Sequence, residues 1–219
     1  SDTPRLRQAL IDTYEHIPEE WPPEAPYTSR LQVLAAMQHS FDAELLDFLH
    51  DIAGDREALA DFRAVAFMAE AMLAGREQVS RLRASTQGEP EGSAVRTRFE
   101  EFEPALATAE ECSDNLQCYL GKLTDENPMV VRKAAYMIAR YGRGNQEAVT
   151  QLIEHLDHED VTVRGDVLYA IDWIATEGSP EAAAEIERIR EAEEGRTSWN
   201  QIKDLAMAVR ARLGARSGG

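Results

Sequence analysis

The chain has 219 residues, 43% of them hydrophobic and 29% charged, with 40 acidic against 23 basic side chains and a formal net charge of −17. That is length enough for a substantial core, and no run of 18 apolar residues exists to cross a bilayer. The negative field excludes nucleic acid as the main partner. Apolar residues recur with a period near 3.6 along nearly the whole chain, which predicts an all-α fold. "SDTPRLRQAL" has no apolar leader core and opens a helix over about 4–16. "PEEWPPEAP" (18–26) breaks the pattern, because proline removes a donor and restricts its predecessor; its short PxxP match, "PEAP", reads as linker. Helices are then expected over about 27–39, 42–53 and, as one long element, 56–84. "TQGEPEGS" (86–93) is a polar loop, followed by helices over about 94–110, 113–123, 128–142, 145–156, 160–175, 180–194 and 198–213. "YGRGN" (141–145) and "TEGSP" (176–180) are stop-turn-start signals, with Ser179 expected to cap the helix that Pro180 opens.

The helices repeat. "VRKAAYMIARYG" (131–142) lies over "VRGDVLYAIDWI" (163–174) at an offset of 32, placing Val131 on Val163, Arg132 on Arg164 and Ala135 on Val167. A further offset of 39 brings "IKDLAMAVRARL" (202–213) into the same frame, with Ile202, Lys203, Ala206, Val209 and Leu213 in the same slots. Upstream, "FRAVAFMAEAML" (62–73) and its preceding "LLDFLHDI" (45–52) form a fourth, degenerate copy. "LTDENPMVVRKAAYMIARYG" and "LDHEDVTVRGDVLYAIDWIA" resemble HEAT-like repeats of the phycobilisome-lyase type: a leucine-rich first helix, an Asp-containing turn, then "VR" opening the second helix. The chain departs from that pattern where Asp125 and Asp157 stand seven residues before the arginine instead of six, and where the last copy has no aspartate. The resemblance implies a curved α-solenoid in which each hairpin buries its apolar face against its neighbours. The expected organisation is an N-terminal helical region over 1–85 with one degenerate hairpin at 42–75, the 86–93 loop, and repeats over 94–216, all in one continuous domain.

"EHLDHED" (154–160) concentrates six side chains able to bind metal or move protons. The repeat frame puts them at a helix end and the following turn. There, Asp157 or Asp160 can accept from the exposed N–H groups that open the next helix. His155 and His158 could share a helix face, but no third histidine or cysteine accompanies them, so the expected metal set is none. His16, His39 and His50 are isolated in sequence and read as structural. Cys112 and Cys118 match no zinc spacing. On one continuous helix they would stand about 600° apart, so they read as buried free thiols of a cytoplasmic protein. No P-loop, dinucleotide-binding glycine motif, nucleophile elbow or HExxH is present. Among HEAT-like enzymes, deoxyhypusine hydroxylase uses several His-Glu pairs, whereas this chain has the single pair His158-Glu159. The DNA glycosylases use a basic groove, and this chain is acidic. Catalytic residues and cofactors are therefore both expected to be none.

One constellation points to binding. Val163, Val167, Ala170, Ile171 and Ile174 fill the core slots of their helix, and Asp166, Tyr169 and Trp173 form a second stripe. Met137 and Tyr141 are the equivalents of Tyr169 and Trp173 one repeat earlier, flanked by Lys133, Tyr136 and Arg140. An aromatic row beside basic residues suits a peptide or protein partner, and packing between repeats is the alternative reading of the same stripe. Lys133 and Asp166 are expected to be exposed. The reading is a non-enzymatic scaffold or adaptor that binds another protein, in signalling or motility, without membrane insertion and with its oligomeric state open; the alternative is a HEAT-like enzyme of metal-dependent or lyase type.

Only Lys122, Lys133 and Lys203 are lysines, against twenty arginines. Such an acidic, lysine-poor, alanine-rich chain resembles proteins of salt-in halophilic archaea. Raising KCl from about 0.1 M to molar shortens the Debye length from roughly 10 Å to roughly 3 Å and damps self-repulsion. The melting temperature is expected to rise along that series; a flat or falling one would contradict halophilic adaptation.

Overall fold

The computed structural model describes residues 3–17, 29–175, 180–193 and 201–217, and among them every regular element is a helix. The stretch 18–26 and the cap expected at Ser179 lie outside the described residues, as do the side chains of Ile202 and Lys203. The chain forms two compact units, Ser1–Ser113 and Asp114–Gly219. No described helix is long and apolar enough to cross a membrane.

In the first unit, α1 (Thr3–His16) precedes α2 (Arg30–Gln38), which opens on a capping box: the Ser29 hydroxyl accepts from the Gln32 N–H at 3.3 Å and the Gln32 amide oxygen accepts from the Ser29 N–H at 2.9 Å. A 3-10 turn (Ala43–Leu45) leads into α3 (Leu46–Gly54). The long helix expected over 56–84 is two, α4 (Ala60–Leu73) and α5 (Arg76–Thr86). Ala74 turns to extended backbone, and Gly75 starts the new helix with its N–H bound to the Gln78 side-chain oxygen at 3.0 Å. α4 is the unit's central helix, packed against α2, α3 and α6 (Ala94–Cys112) through Phe62, Ala66, Phe67 and Met72.

The polar 86–93 loop separates no compact units. Glu89 makes a buried ion pair with Arg63 of α4, whose Nε also donates to the Ala53 carbonyl at 3.1 Å. α6 then packs on α4 and α5 with Val95, Phe102, Leu106 and Ala109 buried, so it belongs to the first unit. The break comes at the end of α6, where Ser113 takes φ 54°.

That break corrects the reading of the cysteines. Cys112 and Cys118 are not on one helix, so their angular separation has no meaning, and both are disulfide-bonded. A cytoplasmic location loses the support that free thiols would have given it.

His50 is not isolated either. Its Nδ1 lies 3.0 and 3.2 Å from the two carboxylate oxygens of Glu70, which is fully buried on α4. Arg81 of α5 donates to the same carboxylate at 3.2 Å and to Asp47 at 2.6 Å. One carboxylate thus ties three helices. Burial pushes the Glu70 carboxyl above its ordinary value of 4.5, against the pull of His50 and Arg81. A raised folded-state value means that the contribution is fully present below the unfolded value and lost as pH rises through the folded one. Acidification from neutral pH should therefore stabilise the wild-type chain relative to Glu70→Gln, which cannot take up that proton. Urea unfolding of both proteins across pH 4.5–7 measures the difference, and a difference that stays constant with pH would contradict the placement of Glu70.

The second unit begins with α7 (Leu116–Lys122), capped by Asn115, and α8 (Pro128–Tyr141), capped by Asn127 with Pro128 in the first turn. α9 (Gln146–Glu154) is capped by Asn145, and α10 (Val161–Ile174) by Asp160. α11 (Pro180–Glu193) and α12 (Gln201–Ser217) complete it. α7 packs on α8, α9 on α10 and α11 on α12; α8 also packs on α10, α10 on α12 and α9 on α11. Val131, Ala135, Ile138, Val163, Val167 and Ile171 are fully buried, as the helical phase predicts, and so are Ala206, Val209 and Leu213 in the last copy.

Candidate interaction site

The acidic-histidine run at 154–160 is a helix stop and start. Asp160 Oδ1 accepts from the N–H of Thr162 at 2.7 Å and of Val163 at 3.3 Å. Burial alone would raise its carboxyl, but those two N–H groups outweigh burial and hold it below the ordinary carboxylate range. His155 ends α9, and burial lowers its pKa against the charge of Glu154, favouring the neutral ring. His158 Nδ1 accepts from the Asp160 N–H at 3.0 Å, and Asp157 pairs with Arg188. Among the described residues no three His, Cys, Asp or Glu side chains are arranged to hold a metal ion.

The two "VR" arginines have different roles. Arg132 Nε donates to Asp166 Oδ2 at 2.7 Å, with the Arg side chain 13% and the Asp side chain 3% exposed. Tyr136 Oη lies 3.4 Å from the other carboxylate oxygen. Burial opposes the Arg132 charge, but Asp166 more than restores it and raises the guanidinium's pKa. One repeat on, Leu205 stands in the frame that Asp166 occupies, and Arg164 is oriented differently. It turns back instead, donating to the carbonyls of His158 at 2.7 Å and Glu159 at 3.0 Å.

The expected exposure of Lys133 and Asp166 is therefore overturned: Lys133 is 0% and Asp166 2% exposed. Tyr136 and Met137 are also buried. The reason is that α8 is covered on nearly all sides, with every residue from 130 to 139 except Arg132 buried. A single apolar stripe cannot reveal that. Burial pulls the Lys133 amine well below its ordinary pKa, and the neighbouring Arg140 charge adds to the effect. None of Lys133, Tyr136 and Met137 offers a partner an accessible surface.

What stays partly accessible lies at the C-terminal ends of α8 and α10. Arg140, Tyr141, Tyr169 and Trp173 are half-buried. The Arg140 guanidinium sits 5.4 Å from the Tyr141 ring centroid, and Tyr141 stacks on the fully buried Tyr119 at 6.2 Å with a 20° interplanar angle. Burial pushes the Tyr119 phenol pKa up, so it remains a neutral part of the stack. The turn after α8 joins the two helix ends: Gly144, at φ 76°, donates its N–H to the Ile174 carbonyl at 3.0 Å. Tyr169 and Trp173 share a face of α10 at i, i+4. Arg143, in the turn, is exposed. The periodicity identified the aromatic pair; Arg143 escaped notice because it stands in a turn, where no helical stripe extends.

No protein-family description matches the chain, and no curated protein matches it. Among solved structures, an engineered protein determined by a structural genomics consortium aligns over 99% of this chain and 93% of its own, at 14% identity and a TM-score of 0.37. A likeness that slight carries no inference about family or function.

Proposed function

We propose that this chain is a non-enzymatic helical-repeat adaptor that binds another protein or peptide at the paired C-terminal ends of α8 and α10. The observation that carries the reading is the half-exposure of Arg140, Tyr141, Tyr169 and Trp173 beside helix bodies that are otherwise covered. Aromatic and arginine side chains that are partly desolvated and held by their neighbours make effective anchors, because little freedom remains to be lost on binding. The succession of α8 on α10 and α10 on α12 supports a curved α-solenoid of HEAT-like hairpins for the second unit, an architecture suited to presenting such a surface. A role in signalling or motility fits an adaptor of this type. The charge of −17 and the scarcity of lysine favour a protein adapted to molar salt.

The test compares wild type and Trp173→Ala as baits for in-cell crosslinking at native salt, followed by affinity measurement on any purified partner. The substitution should weaken binding by about 2 kcal/mol, roughly thirty-fold. A partner that binds both proteins equally would move the surface elsewhere.

A further inference from the structure

α1 is held differently from every other helix of the first unit. Only Tyr14 of its 14 residues is buried, whereas ten of the 14 residues of α4 are. Leu6 is 46% exposed, and Leu10 and Ile11 are half-buried. Its anchors include specific polar and aromatic contacts. Arg7 Nε donates to Asp42 Oδ2 at 2.7 Å and its Nη1 to Glu44 Oε2 at 3.4 Å. Two turns later Tyr14 meets Phe48 edge-on at 5.6 Å, and the Arg30 guanidinium lies 5.0 Å from the same ring. Arg30 Nε also donates to the Ile17 carbonyl at 2.8 Å. Arg7 and Tyr14, seven residues apart, fall on one helix face with Leu10 and Ile11 between them.

The seat beneath is built more firmly than its occupant. Asp42 is 7% exposed, its second carboxylate oxygen accepts from the Glu44 N–H at 3.1 Å, and Leu45, Leu46 and Leu49 behind it are buried. Phe41, next to Asp42, holds φ 52°, an uncommon conformation for a bulky residue. Strain of this kind persists only where surrounding structure enforces it, and it concentrates at ligand clamps. A helix that buries so little opens at far lower cost than the unit that carries it. The unit's net negative charge, 22 acidic against 10 basic side chains, attracts a basic segment to the vacated seat.

We propose that α1 is a displaceable occupant of a helix-binding seat formed by Arg30, Asp42, Glu44 and Phe48, and that it competes there with a partner's amphipathic helix. The chemistry of that helix is set by the resident one: a basic residue for Asp42 and Glu44, and an aromatic ring two turns later for Phe48 and Arg30, with apolar residues between. While α1 is docked, the partner's apparent affinity is reduced by the fraction of seats that are open, so α1 sets a threshold for binding.

The probe is a labelled synthetic peptide of residues 1–17, measured by fluorescence anisotropy against two full-length chains. Arg7→Glu in the chain places a negative charge opposite Asp42 and Glu44 and frees the seat, so this variant should bind the peptide at least tenfold more tightly than wild type. A peptide carrying its own Arg7→Glu should lose at least tenfold on the same variant chain. Equal binding by the two chains, or equal binding of the two peptides, overturns the proposal. Hydrogen exchange on the wild-type chain tests it without any substitution: amides of α1 should exchange at least a hundredfold faster than those of α4, and equal protection overturns it as well. Dimers formed by exchange of α1 between chains, with no uptake of peptide, would give the seat to a second copy and reject the external partner.

Discussion

Asp166→Ala should lower the unfolding free energy of the chain by about 3–5 kcal/mol, an effect set by what it leaves behind. Arg132 is 13% exposed and its guanidinium donates to Asp166 at 2.7 Å. Removing the acceptor withdraws the paired countercharge from a buried cation, which costs more than the pair itself contributes. Tyr136, whose hydroxyl faces the other carboxylate oxygen, loses its acceptor in the same step. Asp166→Asn keeps a hydrogen-bond acceptor in place and should cost less. Replacing both charges by apolar side chains, Arg132→Met with Asp166→Leu, should recover much of the loss, because the desolvation of two ions disappears with them. Urea unfolding followed by circular dichroism gives the three values. A single-variant loss below about 1 kcal/mol would mean that water reaches Arg132 and that the pair is a surface contact.

Ile171→Ala should cost about 2–5 kcal/mol. Ile171 is 0% exposed on α10, the helix that packs on α8, α9 and α12, so the lost methyl groups leave space that several elements would have to move to fill. A loss under about 0.5 kcal/mol would mean that the site collapses freely, which a helix held on three sides cannot do.

How much of this could be read from residue order depended on range. The core of the second unit was legible because Val163, Val167, Ala170, Ile171 and Ile174 follow a 3.6 period that any packed helix must show, and all are fully buried. The capping role of Asp160 was legible as one of two choices, the other being Asp157, because capping is a local matter of one turn. The division between α4 and α5 was not, since Ala74 and Gly75 interrupt a sequence that remains helix-forming on both sides; a single glycine is a weak signal inside a helix. Lys133 and Asp166 were misplaced for a different reason. Each belongs to a helix whose polar face is covered by residues remote in sequence, and Asp166 meets an arginine 34 positions away. His50 and Glu70, 20 positions apart on different helices, escaped in the same way. Of the proposed partner surface, Tyr169 and Trp173 were legible as a pair at i, i+4, while Tyr136 and Met137 were assigned to it only because the covering of α8 could not be foreseen.

Binding at the ends of α8 and α10 requires Trp173 to be a presented side chain and not a packing one. Both kinds of tryptophan can lie beside a covered helix, but they differ in what their removal does to the fold. Urea unfolding of Trp173→Ala, beside wild type at the same salt concentration, separates them before any partner is in hand. A recognition side chain that is half-buried predicts a loss of no more than about 1 kcal/mol, with the denaturant dependence unchanged. A loss of about 3–5 kcal/mol, the cost of emptying a packed tryptophan site, would contradict the assignment and make this face part of the core.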